Sequence, residues 1–145
     1  MIKRTKAVFY IEPDWVYGRI HYDLIKYLWV RGIDCHVLPW NRGYSLQEFR
    51  EIEATTDIFM TTPHGWRFLG YDYALDPSRC VVVSHSKLDY EDLIKHHGLG
   101  DYSKFKRFAC VSDWLVGVAK QVGIERVPEV VPVGINYNAF YAPVS

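Results

Sequence analysis

Two histidines stand where short apolar runs end. His85 lies in Val83-Ser84-His85-Ser86-Lys87, directly after the most β-branched run of the chain. His64 lies in Thr61-Thr62-Pro63-His64-Gly65-Trp66. Imidazole donates or accepts a proton near neutral pH, so either residue suits hydrogen bonding to a reacting polar group. A strand-end histidine can also do no more than bond to nearby backbone. His64, between proline and glycine, is expected on an exposed turn. A third segment, Glu12-Pro13-Asp14-Trp15-Val16-Tyr17-Gly18-Arg19, offers two aromatic faces, Trp15 and Tyr17. Its glycine, Gly18, would let a substrate approach a helix N-terminus, where free N–H groups favour anions and hydroxyls. Ser112, in Val111-Ser112-Asp113-Trp114, reads first as a helix N-cap whose side chain could also face a cleft.

Several chemistries have no motif here. G-x-G-x-x-G and G-x-x-x-x-G-K-[ST] are both absent, which argues against a dinucleotide or ATP phosphate cradle. No C-x-x-C spacing occurs, and His96-His97 lacks a third ligand at metal spacing. No metal site is expected. No Ser-His-Asp order or other nucleophile motif stands out.

The elements that would position these residues follow from the apolar pattern. Continuous apolar runs at Ala7–Ile11, Cys35–Leu38, Asp57–Thr61, Cys80–Val83, Phe108–Val111 and Glu129–Val133 read as six strands. Runs of this kind, rather than alternating ones, mark a parallel sheet covered on both faces. Amphipathic stretches between them read as helices: Gly18–Arg31, stopped by Gly32; Ser45–Ala54, opened by a capping box; a weak Trp66–Leu75; Asp89–His97, ended by Gly98; and one after Ser112. In the last helix Trp114, Leu115, Val118, Ala119 and Val122 are expected to form one stripe. The fold class is therefore α/β: a doubly wound, mostly parallel six-stranded Rossmann-like sheet with helices on both faces. Residues 1–133 form one domain, and 134–145 read as the start of a linker.

The chain has 145 residues, enough for one domain with a sizeable core. Lys+Arg and Asp+Glu number 17 each, a balance that argues against a dedicated nucleic-acid binder. Aromatics make up 16%, with 11 Tyr and 5 Trp; they suit either a tyrosine-rich core or flat faces for sugar rings. Cys35, Cys80 and Cys110 each sit in an apolar run, as expected for reduced thiols in a cytoplasmic protein. The apolar stretch after Lys6 is too short for a signal core or a membrane span. Lys104-Phe105-Lys106-Arg107-Phe108 would suit a peripheral membrane contact or an anionic acceptor, but it also reads as a solvated face leading into a strand.

Three patches together carry a resemblance. Pro132-Val133-Gly134-Ile135-Asn136-Tyr137-Asn138-Ala139-Phe140-Tyr141-Ala142-Pro143 is similar to the segment that closes the N-terminal, acceptor-side domain of GT-B glycosyltransferases. It departs in having Asn136 for the commoner Asp and one extra residue before Pro143. The His85 and Ser112 segments resemble two segments of the retaining GT-B enzymes grouped as family four. The resemblance implies a sugar transferred from a nucleotide-sugar donor to a sugar, lipid-linked or other glycan acceptor, with no cofactor or metal. It implies that His85 contacts the reacting sugar, and that Trp15, Tyr17, Gly18, His64 and Ser112 lie along the substrate cleft. The donor would be bound by a separate C-terminal domain, so this domain alone would not turn over. The alternative is a non-catalytic flavodoxin-like or receiver-like binding module. A receiver would need an Asp after the third strand, where Thr61-Thr62-Pro63 stands; a flavodoxin-like module would purify yellow.

Overall fold

A computed structural model describes residues 4–12 and 24–131. Six strands form one sheet: β1 (Thr5–Ile11), β2 (Ile33–Pro39), β3 (Ile58–Thr61), β4 (Cys80–Ser84), β5 (Arg107–Cys110) and β6 (Glu129–Val130). Their order is β2-β1-β3-β4-β5-β6, and every pairing is parallel. The long register of β1 against β2, from Thr5–Ile33 to Ile11–Pro39, brings the ends of both strands to the same level. Burial follows position. Ala7 through Ile11 are all buried in central β1, whereas edge strand β6 is exposed at both residues. A strand covered on both faces must be apolar at every position, which is why the sequence shows runs instead of alternation.

Residues 24–30 are helical and form the described part of α1. Then come α2 (Leu46–Ala54), α3 (Pro63–Leu69), α4 (Lys87–His97) and α5 (Asp113–Gln121). α3 packs on α4, and α4 on α5. The β1-to-β2 connection runs along the sheet in the direction opposite to all later ones. Right-handed crossovers therefore put α1 on one face and the remaining helices on the other. The fold is a doubly wound, parallel, Rossmann-like α/β sheet.

Among the described residues, most of the aromatics build the core. Phe49 stacks on Tyr73 with ring centres 4.5 Å apart, and Trp66 meets Phe105 edge-on at 4.8 Å. Tyr90, Tyr102 and Phe108 pack as a trio between α4 and β5. Trp66 is thus a core residue.

Element boundaries differ from the sequence pattern where caps act. α3 starts three residues earlier than its apolar residues suggest, because Thr62 caps it and Pro63 fills its first turn. α4 starts at Lys87, and Asp89 caps it from inside rather than from before it. In α5, Leu115, Val118 and Ala119 make the buried stripe, while Trp114 is 65% exposed and points away from it. Gly32 and Gly98 end their helices at φ +89° and +74°, a conformation that favours glycine. The three cysteines are free thiols; Cys80 and Cys110 are buried and Cys35 is partly exposed.

Candidate functional site

The sheet has a switch point between β1 and β3. From β1 the chain moves outward to β2, and from β3 it moves outward the other way. Connections that part in this manner leave a crevice at the carboxyl ends of the two strands. A cavity of about 450 Å³ opens there. Tyr10, Ile11 and Glu12 close β1 at its floor, Trp40 follows β2, and Thr62, His64 and Gly65 follow β3. Ser86, Asp89 and the outer turns of α4 complete it.

The seating of α3 fixes His64. Thr61 Oγ1 donates to the Tyr10 carbonyl at 2.8 Å and ties the ends of β3 and β1 together. Thr62 Oγ1 accepts from the Gly65 N–H at 3.1 Å. A Cβ on Gly65 would lie 1.9 Å from Thr61 Oγ1, so only glycine lets the helix start this close to the strand. His64 is consequently a first-turn helix residue, not an exposed turn residue, and its side chain is 31% exposed. Its Nδ1 bonds Asp92 Oδ2. Its ring meets Trp40 edge-on at 5.0 Å, and Trp40 stacks nearly parallel on Phe68 at 5.5 Å.

Asp92 is shared. Arg67 approaches the same oxygen at 3.5 Å, and His96 reaches the other at 3.7 Å. Burial alone would raise its carboxyl; the His64 hydrogen bond and the nearby His64, Arg67 and His96 charges outweigh that and hold it below the usual carboxylate range. A neutral His64 ring bonded to Asp92 through Nδ1 keeps its proton there. Nε2, which has no partner among the described residues, is then free to accept a hydrogen bond.

Asp89 is the second polar anchor. It is only 6% exposed, yet it lines the cavity. Its Oδ2 accepts two backbone N–H groups, from His85 at 2.9 Å and from Ser86 at 3.1 Å. Oδ1 has no partner among the described residues. Burial pushes the Asp89 carboxyl up, against the opposing pull of those two hydrogen bonds and the His64 charge. The chemistry available is thus an aromatic wall, an imidazole oriented by a carboxylate, and a buried carboxylate with one free oxygen. Such a set can grip a hydroxylated ligand and take a proton from it.

His85 sits at the end of β4 as expected, but it is not among the described residues lining the cavity. Its backbone N–H goes to Asp89, and burial lowers its imidazole to about 4, so the ring is neutral at pH 7. Ser112 occupies the N-cap position of α5 without making a side-chain cap bond. Trp15, Tyr17 and Gly18 lie outside the described residues, as does the segment after residue 131. Trp40, Asp89 and Asp92 were not singled out from sequence. Trp40 had a readable signal, an aromatic directly after Pro39 at a strand's carboxyl end. Asp92 had none, because its pairing spans 28 residues and two elements.

Comparison with family models, with curated proteins and with solved structures gives no match. The class that fold and site define is therefore a parallel Rossmann-like α/β domain with a mostly apolar, aromatic-walled cavity carrying a few polar groups at its switch point. Among the described residues, no helix is long and apolar enough to cross a membrane, and no group of three or more His, Cys, Asp or Glu could hold a metal ion. In the basic segment before β5, Phe105 and Phe108 are core residues. Lys104 and Arg107 face Asp101 and Glu129 at 3.8 and 2.8 Å.

Proposed function

We propose that this chain is the acceptor-side domain of a GT-B type glycosyltransferase, of the retaining kind by the resemblance of its His85 and Ser112 segments. The observation that carries the reading is the cavity itself. Trp40 offers an apolar face of the sort on which sugar rings stack, beside hydrogen-bonding groups on His64 and Asp89. In this reading the acceptor glycan sits against Trp40, and its hydroxyls bond His64 and Asp89. A separate domain binds the nucleotide-sugar, and no cofactor or metal takes part. His85, neutral at pH 7, is the hydrogen-bonding group that the resemblance sets against the reacting sugar. The reading carries a cytoplasmic setting, with any membrane contact peripheral.

The test is a titration of this chain followed through the Trp40 indole and the His64 ring. Simple glycosides are expected to perturb both. UDP and GDP are expected to perturb neither, and UDP- and GDP-sugars to release no nucleotide. Tight nucleotide binding by this chain alone would overturn the domain assignment.

One observation favours the second reading, a flavodoxin-like binding module. The strand order, with β1 between β2 and β3, follows the flavodoxin-like pattern rather than the 3-2-1-4-5-6 order of dinucleotide-binding sheets. The two readings part on colour and flavin: saturable FMN binding at the switch point would favour the module, and a colourless, FMN-indifferent protein the glycan domain.

A further inference from the structure

We infer that the cavity takes a hydroxylated ligand that is uncharged or carries an amine, and rejects one that carries a phosphate. The inference rests on the glycan reading and narrows it, setting glycans and amino sugars apart from sugar phosphates and phosphate-linked lipid acceptors.

The ground is the polarity of the groups left without partners. Ionised, Asp89 Oδ1 carries no proton and can only accept, and the carboxylate's other oxygen is committed to the His85 and Ser86 N–H groups. The residue as a whole is 6% exposed and lines the cavity, so that acceptor meets the ligand space from a partly desolvated side chain, and a ligand that fails to match it loses a hydrogen bond. The complement is a donor: a hydroxyl or, better, an ammonium. Glu12, at the end of β1, is held by Asn41 at 3.2 Å and adds a second carboxylate with no cation on it among the described residues. Glu91 on α4 is matched by Lys87 at 3.4 Å, and Asp92 by His64, Arg67 and His96. Lys95, one turn beyond Glu91 and exposed, is the cation of the lining that has no carboxylate partner among the described residues. A phosphate would have to enter against Asp89 and Glu12 with only the outlying Lys95 and the Asp92-bound His64 to meet it. Like charges in a partly desolvated pocket repel strongly. Trp40 accommodates an amine as well, since an aromatic face attracts a cation.

The experiment is calorimetry and indole-resolved NMR on the whole chain with methyl glucoside, glucosamine and glucose 6-phosphate at neutral pH. Glucosamine is expected to bind about fivefold tighter than methyl glucoside, and glucose 6-phosphate at least tenfold more weakly than either. In Asp89→Asn the amine preference should vanish; asparagine keeps an oxygen for the two N–H groups, and a melting curve checks that it folds. Glu12→Gln, which caps no helix, gives a second reading and should narrow the phosphate gap. If glucose 6-phosphate binds as well as methyl glucoside, or if both variants leave the ranking unchanged, the inference is wrong while the glycan site stands. If none of the three sugars binds, the glycan reading fails and takes the inference with it.

Discussion

His64 and His85 follow adjacent strands of one sheet, at the end where ligands bind, yet their surroundings make them different groups. His64 rides on the first turn of α3, partly open, with one nitrogen held by Asp92 and its ring against Trp40. His85 sits before α4, largely buried, with its backbone N–H bonded to Asp89 and its imidazole lowered to about 4 by desolvation. Placement at a strand end therefore nominates a residue without deciding its chemistry. A carboxylate partner and access to the cavity mark the histidine that can exchange a proton with a ligand; burial marks the one that stays neutral. Asp89 joins the two regions, because one oxygen holds the His85 backbone and the other opens toward the space beside His64.

The contrast breaks most severely at Gly65. In Gly65→Ala the new methyl would overlap Thr61 Oγ1, and the thermal unfolding curve should show a loss of about 3 kcal/mol, as for overpacked sites. The variant should also lose glycoside binding, because His64 moves with the start of α3. A near-normal melting temperature would mean that α3 is not seated as described.

Acid should separate the histidines next. His85 has its folded value depressed below 6.5, so between about pH 6.5 and 4 the unfolded chain binds the extra proton and stability falls as pH falls. The loss over that window should be about 2–3 kcal/mol, and His85→Ala should flatten this limb of the stability–pH curve while leaving methyl glucoside affinity within about twofold. An unchanged acid limb in His85→Ala would show that its ring is not desolvated.

Asp89 sharpens the link between the regions. Asp89→Ala removes the acceptor of two N–H groups at the start of α4 and should cost about 1–3 kcal/mol in denaturant titration. Its folded value is raised, so ionising it in the fold opposes stability as pH rises above the ordinary carboxylate range. Asp89→Asn, which keeps an acceptor and drops the buried charge, should match or exceed wild-type stability at pH 7. Asn as damaging as Ala would mean that the charge itself holds the turn. The smallest effect belongs to Trp40→Ala, with a glycoside affinity loss of about tenfold and little change in melting, because its stacking partner Phe68 is itself only partly buried.

The sheet was legible because β1 and β4 must be apolar on both faces, and runs such as Ala7–Ile11 and Cys80–Val83 have no other easy reading. His64 was legible as a strand-end residue. Its helical setting was not, since Pro63-His64-Gly65 looks like a turn until the close approach to Thr61 is known. Trp114, expected on the stripe of α5, points to solvent instead, while Trp66 fills the core against Phe105. Periodicity within helices of seven and nine residues is too short to tell such faces apart. Asp89 and Asp92 were hidden for a different reason. An acidic residue early in a helix already has a sufficient explanation as a cap, and their further partners come from the end of β4 for Asp89 and from α3 for Asp92.

The central claim is that the acceptor glycan binds at the β1–β3 switch point, against His64, and that His85, which the resemblance sets against the reacting sugar of the donor, does not touch that acceptor. Imidazole NMR signals of both histidines, followed while methyl glucoside is titrated into the chain, test it most directly. The account predicts saturable shifts at His64, accompanied by the Trp40 indole, with His85 unmoved. Shifts at His85 with His64 and Trp40 silent would contradict it.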